Sequence, residues 1–331
     1  MIPVAIDGGY ENVKIVTDSA HAPAEKRMLM TRSRARIGAG RIGALAGGDS
    51  GVREYETEGL IYAAGEVDGE PTHFDGYRTS ALNRVIVQHA LQLADLAGQE
   101  IEVATGLPVH TFYRNGAINQ PLIDNVRRNF QIAVRPKSGA QEARIIRHVV
   151  VPECVAAWYH LVIREDNGRP VMDNERQRMN IGIIDIGGRT TDYAVVTEQG
   201  IQFDSSGSIN CGFIDIRDRV SDRVCQQFDM DHISERRVTN AINERRIRIN
   251  GHDHNIDPMI NEESRYVLER IRSEAARHMG KGSELDMVVF IGGGSLYFKD
   301  AIKTWFPHGT IPDHPEFMNA QGMLKYVKYV G

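Results

Sequence analysis

The sequence predicts an α/β protein of two similar domains facing each other across a cleft, and three observations carry that prediction. Its 331 residues exceed what one ordinary hydrophobic core organises and suit two domains of usual size. Ile2 to Lys14 reads IPVAIDGGYENVK and Asn180 to Val195 reads NIGIIDIGGRTTDYAV; each is an apolar strand, Asp-x-Gly, a tight turn and a second strand. Recurrence roughly 180 residues apart marks a duplicated domain. Elsewhere strand-like runs alternate with helical periodicities, the pattern of mixed α/β layers rather than of a bundle or sandwich. The halves fall at 1–165 and 180–331, divided by the polar stretch Arg164 to Met179.

Within the first half, Leu82, Val85, Ile86, His89, Leu93 and Leu96 recur at helical spacing, and Glu100 to Thr105 reads as a strand. A second helix follows around Gln120 to Phe130. Ile145 to Val151 is a β-branched run, and Pro152 suits the first turn of a helix through Cys154, Ala157 and Leu161, where a missing N–H leaves nothing unpaired. In the second half, Met287 to Ile291 is a short buried strand, ending in Gly292-Gly293-Gly294 before a helix from Leu296 to Trp305. Pro315 starts the last helix, which carries Phe317, Ala320, Met323, Leu324 and Val327. Two segments resist such assignment. Arg34 to Gly59 is rich in Gly and Arg, with the run GAGRIGALAGGDSG; lacking a Gly-Lys-Ser/Thr ending, it reads as a mobile surface excursion rather than a P-loop. Glu235 to His254 carries many arginines and His252-x-His254, but no third metal ligand, and reads as a solvated connecting segment.

A net charge of -5 offers no clustered excess of Lys and Arg for wrapping nucleic acid, so direct DNA binding is not expected. Cys154, Cys211 and Cys225 lack metal-ligand spacing and leave one thiol over in any disulfide scheme. They read as buried small hydrophobes in a reducing cytoplasm. The amino terminus has no basic segment followed by a long apolar stretch, and no apolar run approaches membrane-spanning length, so neither secretion nor membrane insertion is expected.

Paired glycine turns between two domains suit a triphosphate, because backbone N–H donors approach its oxygens closely only where no Cβ intervenes. Gly8, Gly9 and Tyr10 would form one such loop, and Gly187, Gly188, Arg189 and Thr190 the other. Asp7 and Asp185, at the ends of their strands, would face each other and hold Mg²⁺ through water, since that ion sheds its hydration shell reluctantly. Lys14, on the strand after the first turn, offers a positive charge to the phosphates. Glu153, after a buried strand, is placed to order the water that attacks a terminal phosphate; taken alone, it also reads as an exposed first-turn helix residue favoured by the dipole. Gly292-Gly293-Gly294-Ser295 is a strand-to-helix turn where backbone passes close to an adenine or ribose, or an ordinary tight turn.

In this order the parts resemble the actin-like ATPase superfamily of duplicated RNase H-like domains flanking a nucleotide cleft. Asp7 to Lys14 looks like its first phosphate motif, which includes Glu11 and Asn12, and Val151 to Leu161 like its first connecting helix with catalytic Glu153. Asp185 to Asp192 looks like the second phosphate motif, Phe290 to Leu296 the adenosine motif, and Gln321-Gly322-Met323 the second connecting helix, returning over 315–330 to the first domain. The closest resemblance is to ParM/StbA plasmid-segregation proteins, through Ala104-Thr105-Gly106-Leu107-Pro108 before Tyr113-Arg114, then Val151-Pro152-Glu153, Ile184 to Asp192 and Ile291 to Gly294. That resemblance implies an ATP- and Mg²⁺-dependent ATPase, with Glu153 and Asp185 as its catalytic pair. It further implies self-assembly into a polar filament and segregation of plasmid DNA through a ParR-type adaptor on a centromere-like site. Two positions depart from the pattern: Tyr10 stands where many relatives have Ser or Thr, and Arg189 where many have a small residue, touching phosphate or pointing to solvent. A small-molecule kinase of the same superfamily and a non-segregating scaffold are the rival readings. The former would need a substrate-deprotonating Asp in the first domain, and none stands out.

Overall fold

The computed structural model describes residues 1–40, 51–166 and 168–331. Two five-stranded sheets, one from each half, share a single strand order. In the first, Met28–Arg32, Asn12–Thr17, Ile2–Gly8, Glu100–Leu107 and Arg144–Pro152 lie side by side. In the second, the sequence across the sheet is Gly200–Ile209, Thr191–Thr197, Ile181–Ile186, Met287–Ile291 and Gly309–Thr310. Each central strand pairs antiparallel with the strand after it and parallel with the fourth strand of its sheet. The duplication seen in two hairpins therefore extends through both sheets. It places both hairpin turns at the carboxyl ends of central strands, the edge where open α/β sheets bind ligands.

Alternation along the strands feeds a core on each face. Val4 and Ile6 join Val13, Ile15, Ile101 and Val103 beneath the helix Ala81–Leu93. The intervening Ala5, with Val16, Ala104 and Val151, packs on Ala320, Met323, Leu324 and Val327 of the last helix, Met318–Tyr329. In the second half, Ile184, Ile186, Val288 and Phe290 are covered by Phe213–Gln227 and the 23-residue Asp257–Met279. Their alternates Ile183, Val289 and Ile291 meet Cys154, Ala157 and Leu161. The helix Val155–Val162 is thus wedged between the sheets, giving Ala156 to one core and Ala157 to another.

Several local expectations need correction. Pro152 closes a strand instead of opening a helix; Cys154, at φ +63°, is the helix cap, so Glu153 sits in the bend between the two elements. Leu296 to Trp305 is not one helix but two short ones, Gly293–Tyr297 and Lys299–Ile302, parted at Phe298. Arg34 to Gly59 contributes Ala35–Ile37 and Val52–Thr57, which join Leu60–Gly65 and Arg135–Pro136 in a four-stranded sheet with Tyr55, Tyr62, Ala63 and Ala64 buried. Residues 41–50 of its glycine-rich run lie outside the described residues. Glu235 to His254 is no mere connector, since Glu235–Glu244 and the hairpin Arg246–Ile249/His252–Asn255 send Val238, Ala241, Ile242, Ile247 and Ile249 into the second core. Among the described residues no helix is long and apolar enough to cross a membrane.

Candidate active site

The two hairpins meet at the centre of the molecule: a Cβ built on Gly188 would lie 3.0 Å from that of Glu11. Strand register then sets the charges. Asp7 stands opposite Lys14, whose Nζ lies 2.8 Å from Asp7 Oδ2, and Asp185 stands opposite Asp192. Glu153 hangs from the bend after Arg144–Pro152, its N–H donating to Leu107 O at 2.8 Å, and Arg78 Nη2 donates to its Oε1 at 3.0 Å. The last helix joins these pieces. Asn319 Nδ2 donates to Asp185 Oδ2 at 2.6 Å, while Asn319 Oδ1 accepts from Cys154 N at 3.0 Å, one residue beyond Glu153.

Such crowding has an electrostatic consequence. Burial, opposed by Arg78 and reinforced by Asp7, Asp192 and Asp185, pushes Glu153 up to about 8. Asp185 rises to about 7 through burial, opposed by Lys14 and reinforced by Asp7 and Asp192. Burial alone would lower the Lys14 pKa, but Asp7, with Asp185 and Glu153 adding to it, makes the net shift upward. Four carboxylates thus face Lys14 and Arg78, and buried Asp192 Oδ1 makes no hydrogen bond, with His110 Nδ1 3.7 Å away. A site with surplus negative charge and an under-satisfied oxygen suits an added cation. No three His, Cys, Asp or Glu side chains converge as direct metal ligands among the described residues. The donor set therefore fits a hydrated hard ion, held through water, better than a dehydrated one.

The turns supply the opposite polarity. Among the described residues, the N–H groups of Gly9, Tyr10 and Glu11 in one hairpin, and of Gly188, Arg189 and Thr190 in the other, donate to no backbone carbonyl. Gly187 differs, giving its N–H to Thr190 O at 2.9 Å. Two clusters of free amide donors beside a cation-seeking carboxylate group form a cradle for polyanionic oxygens. Gly292, at φ +82°, passes so close to Asp185 that a Cβ there would stand 2.2 Å from Oδ1. The Gly292 to Ser295 turn therefore abuts the carboxylate, though the Ser295 hydroxyl is committed to Gly292 O at 2.7 Å. The Tyr10 ring packs 5.5 Å from that of Tyr77, and its backbone carbonyl accepts from Thr72 Oγ1 at 2.6 Å. Thr190 Oγ1 donates to Asp192 Oδ2 at 3.0 Å. Arg189 is half-buried and makes no hydrogen bond or ion pair among the described residues. Asn12 opens the second strand of its hairpin, and Gly8 and Gly293 to Gly294 line the same edges.

The amino-terminal half, residues 2–163, matches the family model described as plasmid segregation protein ParM, N-terminal. Residues 183–304 match that of the archaeal actin homologue MreB-like, C-terminal. The chain has the actin-like fold, its first half similar to ParM and its second to the archaeal MreB-like actin homologues. Solved structures with this fold include a 15-stranded ParM filament from Clostridium botulinum, at 18% identity and TM-score 0.79. They also include pCBH ParM, a non-polymerisable quadruple mutant (17%, TM-score 0.78), and the archaeal actin homologue Ta0583 in complex with ADP (16%, TM-score 0.76). Each alignment covers 99% of this chain and 99% of the other. Among curated proteins, none matches the chain in sequence.

Three residues that no sequence motif singled out join the site, and a fourth, Asp192, takes a place there that its motif only partly announced. Asp192 was legible as the end of the second phosphate motif, but the burial of its Oδ1 without a hydrogen bond was not. Arg78 comes from the short 3-10 turn Tyr77–Thr79, Asn319 from the last helix, and Arg217 from Phe213–Gln227. None of these three sits in a turn or spacing that announces chemistry. Only their side-chain partners reveal them.

Proposed function

We propose that the chain is an ATP-dependent actin-like filament protein that binds ATP with Mg²⁺ in this cleft, hydrolyses it, and segregates plasmid DNA through a ParR-type adaptor. The domains divide at 1–165 and 180–331, with helix 315–330 returning to the first. The observation that carries the reading is the meeting of two amide-donor hairpins around Lys14 and four carboxylates, Glu153 among them. Gly8 to Tyr10 and Gly187 to Thr190 would hold the phosphates from either side, with Lys14 neutralising one of them. Asp7 and Asp185 would hold Mg²⁺ through water; when bound, that ion supplies charge neutralisation for the phosphates and relieves the carboxylate crowding. Glu153 would orient the attacking water and accept its proton, and Arg78 keeps that carboxylate in place. Gly292 to Ser295 would pass beneath the adenosine. Structural relatives that include a ParM filament and an ADP complex support both the ligand and the assembly.

The test is nucleotide binding and phosphate release by purified protein with and without Mg²⁺, alongside Asp185→Ala. Hydrolysis should require Mg²⁺ and be abolished in the variant, since its carboxylate anchors the hydrated ion. Wild-type hydrolysis by Asp185→Ala would refute the site.

A further inference from the structure

Around the rim of the cleft, four charged residues link the halves of the molecule in an unbroken chain. Glu11, in the turn of the first hairpin, lies 3.3 Å from Arg217 Nη1, and Arg217 Nη2 lies 3.3 Å from Glu235 Oε1. Glu235 Oε2 in turn lies 3.0 Å from Arg34 Nη2. Glu11 and Arg34 belong to the first half, Arg217 and Glu235 to the second, so the chain crosses between them twice. The Arg217 side chain is only 4% exposed, and Asp218 provides it a third carboxylate at 3.1 Å. Together with Tyr10, Thr72, His73 and Ile214, these residues line a small cavity of about 50 Å³ beside the hairpin turns.

We infer that Arg217 is a positioning residue: through Glu11 it pins the first hairpin against the second, and with the Arg34–Glu235 pair it forms a polar latch that holds the cleft shut. The local geometry explains how. Arg217 lies on the helix whose first amides, at Phe213 and Ile214, donate to Gly187 O and Gly188 O at 3.2 and 2.7 Å. One rigid element therefore carries the second hairpin's carbonyls and the cation that grips the first hairpin. The Glu11 side chain consequently serves the contact between domains, while its backbone N–H stays with the other amide donors of the turn; this fits its charge, since a carboxylate would repel phosphate oxygens.

The latch is also built to release. On opening, Arg217 keeps Asp218 and Glu235, so its buried charge is never left unpaired. Only the Glu11–Arg217 and Arg34–Glu235 pairs break. Glu11 and Glu235 are partly exposed, at 21% and 49%, and exposed pairs of this kind are weak and screened by salt. The closed state is thereby favoured modestly, leaving bound ligand able to decide the outcome.

This inference rests on the nucleotide reading above, and its test separates the two. Release of a fluorescent ATP analogue would be followed by chasing with unlabelled ATP, using wild type, Glu11→Gln, Arg34→Met and the double variant. Glu11→Gln should release the analogue about tenfold faster, equivalent to about 1.4 kcal/mol, and Arg34→Met about threefold faster. Raising salt from 50 to 500 mM should speed release from wild type by a larger factor than from the double variant, whose remaining salt response is that of the phosphate contacts alone, a difference that general loosening of the fold would not give. The Arg34 side chain is 15% exposed, and a melting curve of Arg34→Met that matches wild type separates loss of the latch from loss of fold, independently of the buried Arg217. Wild-type release rates and salt response in both single variants would overturn the latch. If no analogue binds wild type at all, the nucleotide reading falls instead. Small-angle scattering of the free protein then decides the latch, which predicts a larger radius of gyration for the double variant and is overturned by equal radii.

Discussion

Glu153 is where chemistry and stability pull against each other. A carboxyl group held near 8 keeps its proton at neutral pH, yet a base that activates water must be ionised. Burial is the largest cause of that suppression and Asp7, Asp192 and Asp185 add to it, so a cation among them would ease Glu153 toward ionisation. Glu153→Gln keeps an acceptor for Arg78 but removes the base. Turnover measured by phosphate release should fall about 10²-fold with nucleotide affinity retained; loss of affinity would place Glu153 in binding instead. The same substitution reads the pKa through stability. Because the folded value, about 8, lies above the unfolded carboxyl value of roughly 4.3, the folded protein holds the extra proton between them. The associated stability is present below the unfolded pKa and is lost as pH rises through the folded one. Calorimetry of the ligand-free protein at pH 5, 6.5 and 8 should therefore show wild type losing melting temperature relative to Glu153→Gln as pH rises. Parallel curves would mean that Glu153 is not buried among its neighbours as described.

At the scale of elements, the crossing of Val155–Val162 and Met318–Tyr329 decides whether the site assembles, because the second helix brings Asn319 to Asp185. Gly322 lies at the closest point: a Cβ there would stand 1.6 Å from Ala156 O. Backbone cannot yield as a flexible side-chain tip does, so Gly322→Ala should push the helices apart and destabilise the protein by about 1–3 kcal/mol. Chemical denaturation measures that loss, and an unchanged midpoint would show that the helices separate freely. This crossing also shows what a sequence can reveal. The strand Met287–Ile291, the helix around Val85 and Ile86, and both Asp-Gly hairpins were legible because short-range periodicity and turn chemistry dictate them. The bend at Glu153 was not, because proline suits a strand end as well as a helix start, and only packing against Asn319 selects one. Likewise the arginines of Glu235–Glu244 and Arg246–Ile249 masked the apolar alternation beneath them. Pairs such as Arg78 with Glu153 join residues far apart in the chain and leave no local signature.

At the scale of the whole molecule, the proposed nucleotide would act on the outer surface through the angle between the two sheets. Each hairpin belongs to the central strand of its own sheet, so ligand that ties Gly8–Gly9 to Gly187–Gly188 fixes the angle between two stiff bodies. A head-to-tail contact uses a different face of each body. Its two sides are complementary at only one interdomain angle, and because such a contact does not close on itself, repetition gives an open filament with distinct ends. On the proposed function, loss of the terminal phosphate would remove the tie between hairpins, leaving the cross-domain charges of Glu11, Arg217, Glu235 and Arg34 to hold closure alone. A difference of only about 1.4 kcal/mol per contact shifts the critical concentration roughly tenfold. Sedimentation across a protein dilution series should therefore show polymer with ATP and with its non-hydrolysable analogue at concentrations where the ADP form stays in the supernatant. The analogue should give the longer-lived polymer, since its contacts never lose the tie. Monomer under every nucleotide condition, joined to phosphate transfer onto a small hydroxyl compound, would make this cleft the active site of a soluble kinase and not the switch of a filament.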